Sequence, residues 1–151
     1  MTTKESVLEA LAKQKNVDKS AEAIAIKTEW LLALKNLFDQ ITLWSKEAVD
    51  RKLLEIKEGQ VAIQEERIGA YYAPSCEFIT PAGIRVHILP KARFVVGSIG
   101  RVDWESPPNE VILVRKNGNN WQFAELDAPC GWRYTPLTEE SFWEMLGNMI
   151  G

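Results

Sequence analysis

The chain reads as an α+β protein: N-terminal helices, one of them long and kinked near Ser45, packed on an antiparallel sheet of about five to seven strands, with a C-terminal helix. Three observations predict this. Apolar residues between Ser20 and Lys57 recur at three- and four-residue steps, the spacing that stacks side chains on one helix face. After Gly59 the period becomes alternating and the β-branched and aromatic content rises. From Thr138 onward a second short helical stripe appears behind an N-cap residue.

Taken in order, Lys4 to Lys15 places Val7, Leu8, Ala10, Leu11 and Ala12 at helical spacing without Gly or Pro, which predicts a short opening helix. Asn16 to Lys19 interrupts the pattern, and Ser20 followed by Glu22 reads as the cap of the next helix. In that helix Ala23, Ile26, Trp30, Leu34, Leu37, Phe38, Ile41, Trp44 and Ala48 form the main stripe. Leu32, Leu43 and Leu54 lie almost opposite, each eleven residues from the next and so on one narrow track of a straight helix. The stripe rotates near Ser45, predicting a kink or break there. Ser45 would then cap a separate helix over 46–57 with Gly59 just past its end, and Leu54 would leave the track.

The sheet is expected over 61–126. Val61 to Ile68 is a weak strand, and Tyr71 to Pro74 a connection. Ser75 to Thr80 and Ile84 to Leu89 flank Thr80-Pro81-Ala82-Gly83, with Pro and Gly where a type I turn favours them. Arg93 to Ile99 carries the consecutive apolar run Phe94-Val95-Val96 and reads as a strand buried on both faces. Gly97 and Gly100 bracket a bend before Arg101 to Glu105, and Ser106 to Asn109 is a turn. Glu110 to Lys116 and Trp121 to Leu126 flank Asn117-Gly118, a pair suited to a tight hairpin, and Val111 to Val114 reads as a central strand. Asp127 to Pro136 is too rich in Pro and Gly for a strand. Thr138 caps a helix over 138–150 whose stripe is Phe142, Met145, Leu146 and Met149, with Leu137 as a staple.

With 151 residues the chain has the size of one domain, a helical portion at 1–58 followed by the sheet and the last helix. Its 46% hydrophobic and 26% charged residues place it away from disordered chains. A net charge of -3 argues against a strongly electrostatic nucleic-acid or membrane binder as the overall design. No leader pattern and no membrane-length apolar run is present, which predicts a cytoplasmic protein without a membrane partner. Two cysteines, Cys76 and Cys130, suit reduced thiols better than a bridge.

No motif for catalysis, metal, nucleotide or cofactor binding is present, and no family signature. A single histidine, His87, removes multi-histidine metal sites. Gly97 and Gly100 form no phosphate cradle, and Asp103, Glu105 and Glu110 lack calcium-loop spacing. The reading that best fits is a non-enzymatic protein–protein interaction module, a small accessory subunit or homo-oligomer whose helical half meets a partner or a second copy. Its candidate contacts are Leu32, Leu43 and Leu54, with Trp132 and Arg133 in an aromatic-arginine loop of the kind found at interface hot spots. The alternative is nucleic-acid binding through Arg85, Arg93, Arg101, Arg115 and Lys116 on one sheet face, with Trp104 or Trp121 as stacking platform. A cysteine hydrolase pairing His87 with Cys130 or Cys76 comes third.

Overall fold

The computed structural model describes residues 3–127 and 129–151, and of residues 13–20 the backbone alone. Its elements are α1 (Thr3–Asp50), β1 (Glu55–Glu65), β2 (Gly69–Ile79), β3 (Arg85–Ala92), β4 (Arg101–Ser106), β5 (Asn109–Asn117), β6 (Asn120–Asp127), β7 (Gly131–Pro136) and α2 (Glu139–Ile150). The seven strands form one antiparallel sheet in sequence order. The α+β arrangement expected from the sequence is thus present, with the strand number at the upper end of the expected range.

The first helix departs from expectation in three ways. The backbone continues through 16–19, since that stretch lacks Gly and Pro and its residues cost only tenths of a kcal/mol each in a helix. The side chain of Ser20, the expected cap, lies outside the described residues. No new helix starts at Ser45: α1 runs on through it, and its buried hydroxyl donates back to the Ile41 carbonyl one turn earlier. The helix ends instead at Asp50, where Lys52 takes a left-handed φ of 59°. Its N–H donates to the Val49 carbonyl at 3.0 Å, and the Leu53 N–H to the Ala48 carbonyl at 2.8 Å, the double closure of a Schellman end. Residues 55–57, expected to be helical, therefore open β1, and Gly59 lies inside that strand.

Strands β1 and β2 pair without a register shift, yet the buried side changes along them. Phe78 and Cys76 are buried toward one end, Ala73 and Tyr71 toward the other, so parity switches across Pro74–Ser75. These two face Gln60 and Gly59 on β1, where the half-buried positions change from Ile56 to Val61 and Ile63. Pro74 on β2 and Gly59 opposite Ser75 mark the place where the parity switches, and the switch hides the alternation that a sequence reading relies on.

The two expected hairpins form. Between β2 and β3 the Gly83 N–H donates to the Thr80 carbonyl and the Thr80 N–H to the Ile84 carbonyl, both at 2.9 Å. Between β5 and β6 Gly118 takes φ 46°. By contrast, residues 93–99 are not the expected strand. The Glu65 carboxylate accepts from the Arg93 and Phe94 backbone N–H groups at 3.0 Å, holding the segment as a loop. The Phe94 ring is covered by the guanidinium groups of Arg67 and Arg93, 4.5 and 5.0 Å from its centre, and Val96 is fully exposed. The segment 131–136 makes the opposite correction: it is β7, paired along its length with β6. Its Pro136 stands at the last position of an edge strand, where a missing N–H breaks no ladder.

Both helices contribute to one core on one face of the sheet. Trp30, Leu34, Leu37 and Ile41 of α1 join Val86, Ile88, Val102, Trp104, Leu113 and Phe123 of the sheet and Phe142, Met145, Leu146 and Met149 of α2. Phe142 meets Trp104 at 5.8 Å and Trp44 at 5.6 Å between ring centres, locking α2 to both layers. The Thr138 hydroxyl accepts from the Ser141 N–H at 3.1 Å while the Ser141 hydroxyl accepts from the Thr138 N–H at 2.8 Å, closing a capping box at the expected helix start. Inward residues Val86, Val102 and Leu113 alternate with outward Arg85, Arg101 and Ile112, so the sheet also presents an outer face.

Candidate functional site

The outward side of α1 is the first candidate surface. Leu32 and Leu43 are 57% and 65% exposed, whereas Leu54 lies beyond the helix end and is buried in the core, so it leaves their line. Because no break occurs at 16–19, the opening segment is in phase with that line. At 3.6 residues per turn Val7, Leu11, Ala21, Ala25, Leu32 and Leu43 fall within about a quarter-turn of one another. All six are exposed. Val7 and Leu11 went unassigned in the sequence because their link to Leu32 depends on uninterrupted helix. The described side chains ahead of Ala23 are all exposed, and Ala23 and Ile26 are the first to pack on the core. That leading segment rises roughly 30 Å at 1.5 Å per residue.

The outer face of the sheet is the second. On β2, β3 and β4 it is a ladder of ion pairs: Arg85 with Glu77 at 2.8 Å, Lys91 with Glu105 at 3.1 Å, Arg101 with Asp103 at 2.7 Å. On β5, β6 and β7 it becomes apolar, where Ile112, Val114, Ala124, Trp132 and Tyr134 join Val95 and Val96 around a groove of about 330 Å³. Trp132 is 52% exposed and lines this groove; Arg133, its neighbour on an extended strand, lies on the other face with Glu125 at 2.9 Å. The two do not share a surface.

The five basic residues are likewise divided. Arg85 and Arg101 face outward and are held by Glu77 and Asp103. The Asp103 hydrogen bond raises the Arg101 pKa, keeping its charge committed to that pair. Lys116 lies over the Tyr134 ring at 4.3 Å. Arg93 packs on Phe94, and its Nε has no partner. Arg115 faces inward, 2% exposed, and donates to the Glu29 carboxylate and the Gly118 carbonyl. That hydrogen bond lowers the Glu29 pKa against the opposing effect of partial burial. Trp104 and Trp121, expected as stacking platforms, are both buried.

His87 is on the outer face, its Nε2 3.9 Å from Glu77. Cys76 is on the inner face, opposite Ile88, and burial pushes its thiol up to about 12, too high for a thiolate at neutral pH. Cys130 precedes β7, four strands from β3 and so roughly 19 Å away across the sheet. Both cysteines are free thiols. Among the described residues, Asp103, Glu105 and Glu110 bring carboxylate oxygens within 4.8 Å of one another, but Arg101 and Lys91 already counter their charge. Among the described residues no helix is long and apolar enough to cross a membrane.

A third feature had no signal in the sequence: a cavity of about 240 Å³ between α1 and the β5–β6 hairpin, walled by Asn36, Gln40, Trp44, Asn119, Trp121 and Leu137 among others. With this geometry in view, no family model, curated protein or solved structure matches the chain.

Proposed function

We propose that the protein is a non-enzymatic interaction module that assembles with a second copy of itself through the outward stripe of α1. One observation carries this reading: the exposed line Val7, Leu11, Ala21, Ala25, Leu32, Leu43 runs along a helix that extends past its own sheet. Apolar side chains repeated on one track of a long helix lose free energy in water and gain it against a matching track. The leading segment favours its own copy as occupant, since Lys4, Lys13, Lys15 and Lys19 balance Glu5, Glu9, Asp18 and Glu22 and give it no charge sign with which to select an opposite partner. The line from Val7 to Leu43 is roughly 54 Å long, and a stripe 10 Å wide along it covers on the order of 500 Å² per copy, the lower end of the range of specific interfaces and suited to a dimer that dissociates on dilution.

Sedimentation equilibrium tests this. The expected outcome is a dimer that dissociates on dilution, converted to monomer by Leu32→Glu with Leu43→Glu, and separately by Val7→Glu with Leu11→Glu, with the near-ultraviolet tryptophan signal of the core unchanged. A chain that stays monomeric at about 100 μM, where any interface stronger than about −5.5 kcal/mol is half occupied, removes the proposal. The nucleic-acid reading receives less support: of its five residues, Arg85, Arg101 and Arg115 are each held by a carboxylate.

A further inference from the structure

The α1 stripe leaves untouched a second apolar surface, the groove on the outer face of the sheet. Four large apolar side chains stand exposed in it or beside it: Val96 fully, Leu126 at 67%, Trp132 at 52% and Tyr134 at 47%. Trp132 lies directly opposite Leu126, and Tyr134 opposite Ala124, so they form one patch rather than scattered residues. Water satisfies an exposed polar group, but apolar area of this kind keeps its full hydration cost. Size narrows the occupant. The floor spans β5, β6 and β7 and the loop carries it about one strand further, roughly 15 Å across by 20 Å along the strands, on the order of 300 Å². A second copy or another globular partner needs about 800 Å² per side, so the patch suits a short peptide segment. The lining narrows it again. Every polar side chain there, Ser98, Arg101, Trp132 and Tyr134, can donate a hydrogen bond, and no carboxylate or carboxamide is among them. An extended strand brings N–H groups that such a lining does not answer, and a helix commits its carbonyls internally. A polyproline II segment does neither: its prolines lack the N–H, and its carbonyls stay free to accept.

We propose that this groove binds a proline-rich segment of a partner protein in the polyproline II conformation. Trp132 and Tyr134 share one face of β7, roughly 7 Å apart along the strand, and are the aromatic ridges against which proline rings seat. Lys116 lies over the Tyr134 ring at 4.3 Å and holds that ridge in place. The Trp132 indole N–H and the Tyr134 hydroxyl make no hydrogen bond among the described residues, so both can turn to the carbonyls of the segment. From the β4 side of the groove to β7 is three strand spacings, about 14 Å, which five residues cover at about 3.1 Å each. Because such a segment is already extended when free, little ordering entropy opposes its docking on so small a patch.

The test uses the intact ¹⁵N-labelled chain and its six tryptophan indole signals, with the Trp132 signal assigned by Trp132→Phe. The probe is an N-acetylated, C-amidated oligoproline of about ten residues, with a Thr-Val repeat and an Ala-Leu-Lys repeat of equal length as strand-forming and helix-forming arms. The expected result is a saturable shift of the Trp132 indole by oligoproline at about 0.1–1 mM. Binding should weaken at least tenfold in Val96→Glu and in Tyr134→Ala, and roughly threefold in Tyr134→Phe, which keeps the ring and loses the donor. Val96 is fully exposed and Tyr134 half-exposed, so unchanged signals from the buried tryptophans separate lost binding from lost folding. No shift with oligoproline up to about 5 mM, binding that Val96→Glu leaves intact, or tighter binding of the strand-forming or helix-forming peptide overturns the proposal. Its failure leaves the α1 stripe untouched, because no residue is shared.

Discussion

The two ends of α1 belong to one helix and are held by different physics. Between Trp30 and Ser45 every turn places a side chain in the core: Trp30, Leu34, Leu37, Ile41 and Ser45 are each at most 3% exposed. Ahead of Ala23 no described side chain is buried. Tertiary packing fixes the first region, whereas the second rests on backbone propensity alone, which is marginal for an isolated segment of this length in water. The difference teaches that one continuous helix can have a firmly held half and a half whose order is independent of the core.

Amide hydrogen exchange gives the largest contrast. In dilute solution, amides at 34–41 are expected to exchange only through global unfolding and those at 7–12 through local fraying, a separation of several orders of magnitude in protection. Raising the concentration should protect 7–12 and leave 34–41 unchanged if copies pair along the stripe. Protection at 7–12 that is equal at every concentration breaks the comparison.

Next in size is a pair of truncations. Trp30 is fully buried, donates to the Tyr71 hydroxyl at 3.1 Å, and packs so closely on Gly100 that a Cβ there would come within 2.2 Å of its ring. Trp30→Ala is expected to cost about 3–5 kcal/mol in urea unfolding. Leu8→Ala, in the exposed segment and off the outward line of Val7 and Leu11, should stay within about 0.5 kcal/mol.

The fold class was legible because its strongest signals are local. Pro81 with Gly83, Asn117 with Gly118, and Thr138 ahead of two acids each name a turn or cap within four residues. The misread stretches depend on distant partners. Phe94-Val95-Val96 looks like a buried strand until Glu65, far away in sequence, binds its backbone. The run 131–136 looks too broken until β6 offers a ladder. The site followed the same rule: Leu32 and Leu43 were visible as a line, but their extension to Val7 and Leu11 was hidden by an expected break, and the Asn36, Asn119 and Trp121 cavity exists only once the hairpin folds onto α1.

At the border of the two regions stands Glu29, and its pair with Arg115 predicts an asymmetry. Glu29→Ala leaves a guanidinium buried with only the Gly118 carbonyl, an expected loss of about 3 kcal/mol. Arg115→Met leaves a carboxylate whose side chain is 53% exposed and returns to water, so it should cost clearly less. The pH dependence follows from the lowered Glu29 pKa. Its contribution is complete above the ordinary value of 4.5 and is lost as pH falls through the lower folded value. The stability gap between wild type and Glu29→Gln should therefore close below about pH 4.5. A gap that widens there contradicts the pairing.

The smallest effect concerns the packed end of the helix. Lys52 stands where glycine is usual, with its Cβ strained at φ 59° and its N–H committed to the Val49 carbonyl. Lys52→Gly keeps both closing hydrogen bonds and removes the strain, while adding freedom to the unfolded chain. The first term exceeds the second at a left-handed position, so thermal and urea unfolding should show a gain of about 0.5–1 kcal/mol. Because this end is anchored by the core, the gain should appear in global stability. Protection at 7–12 in dilute solution should not move with it, for the leading segment unfolds without consulting the helix end.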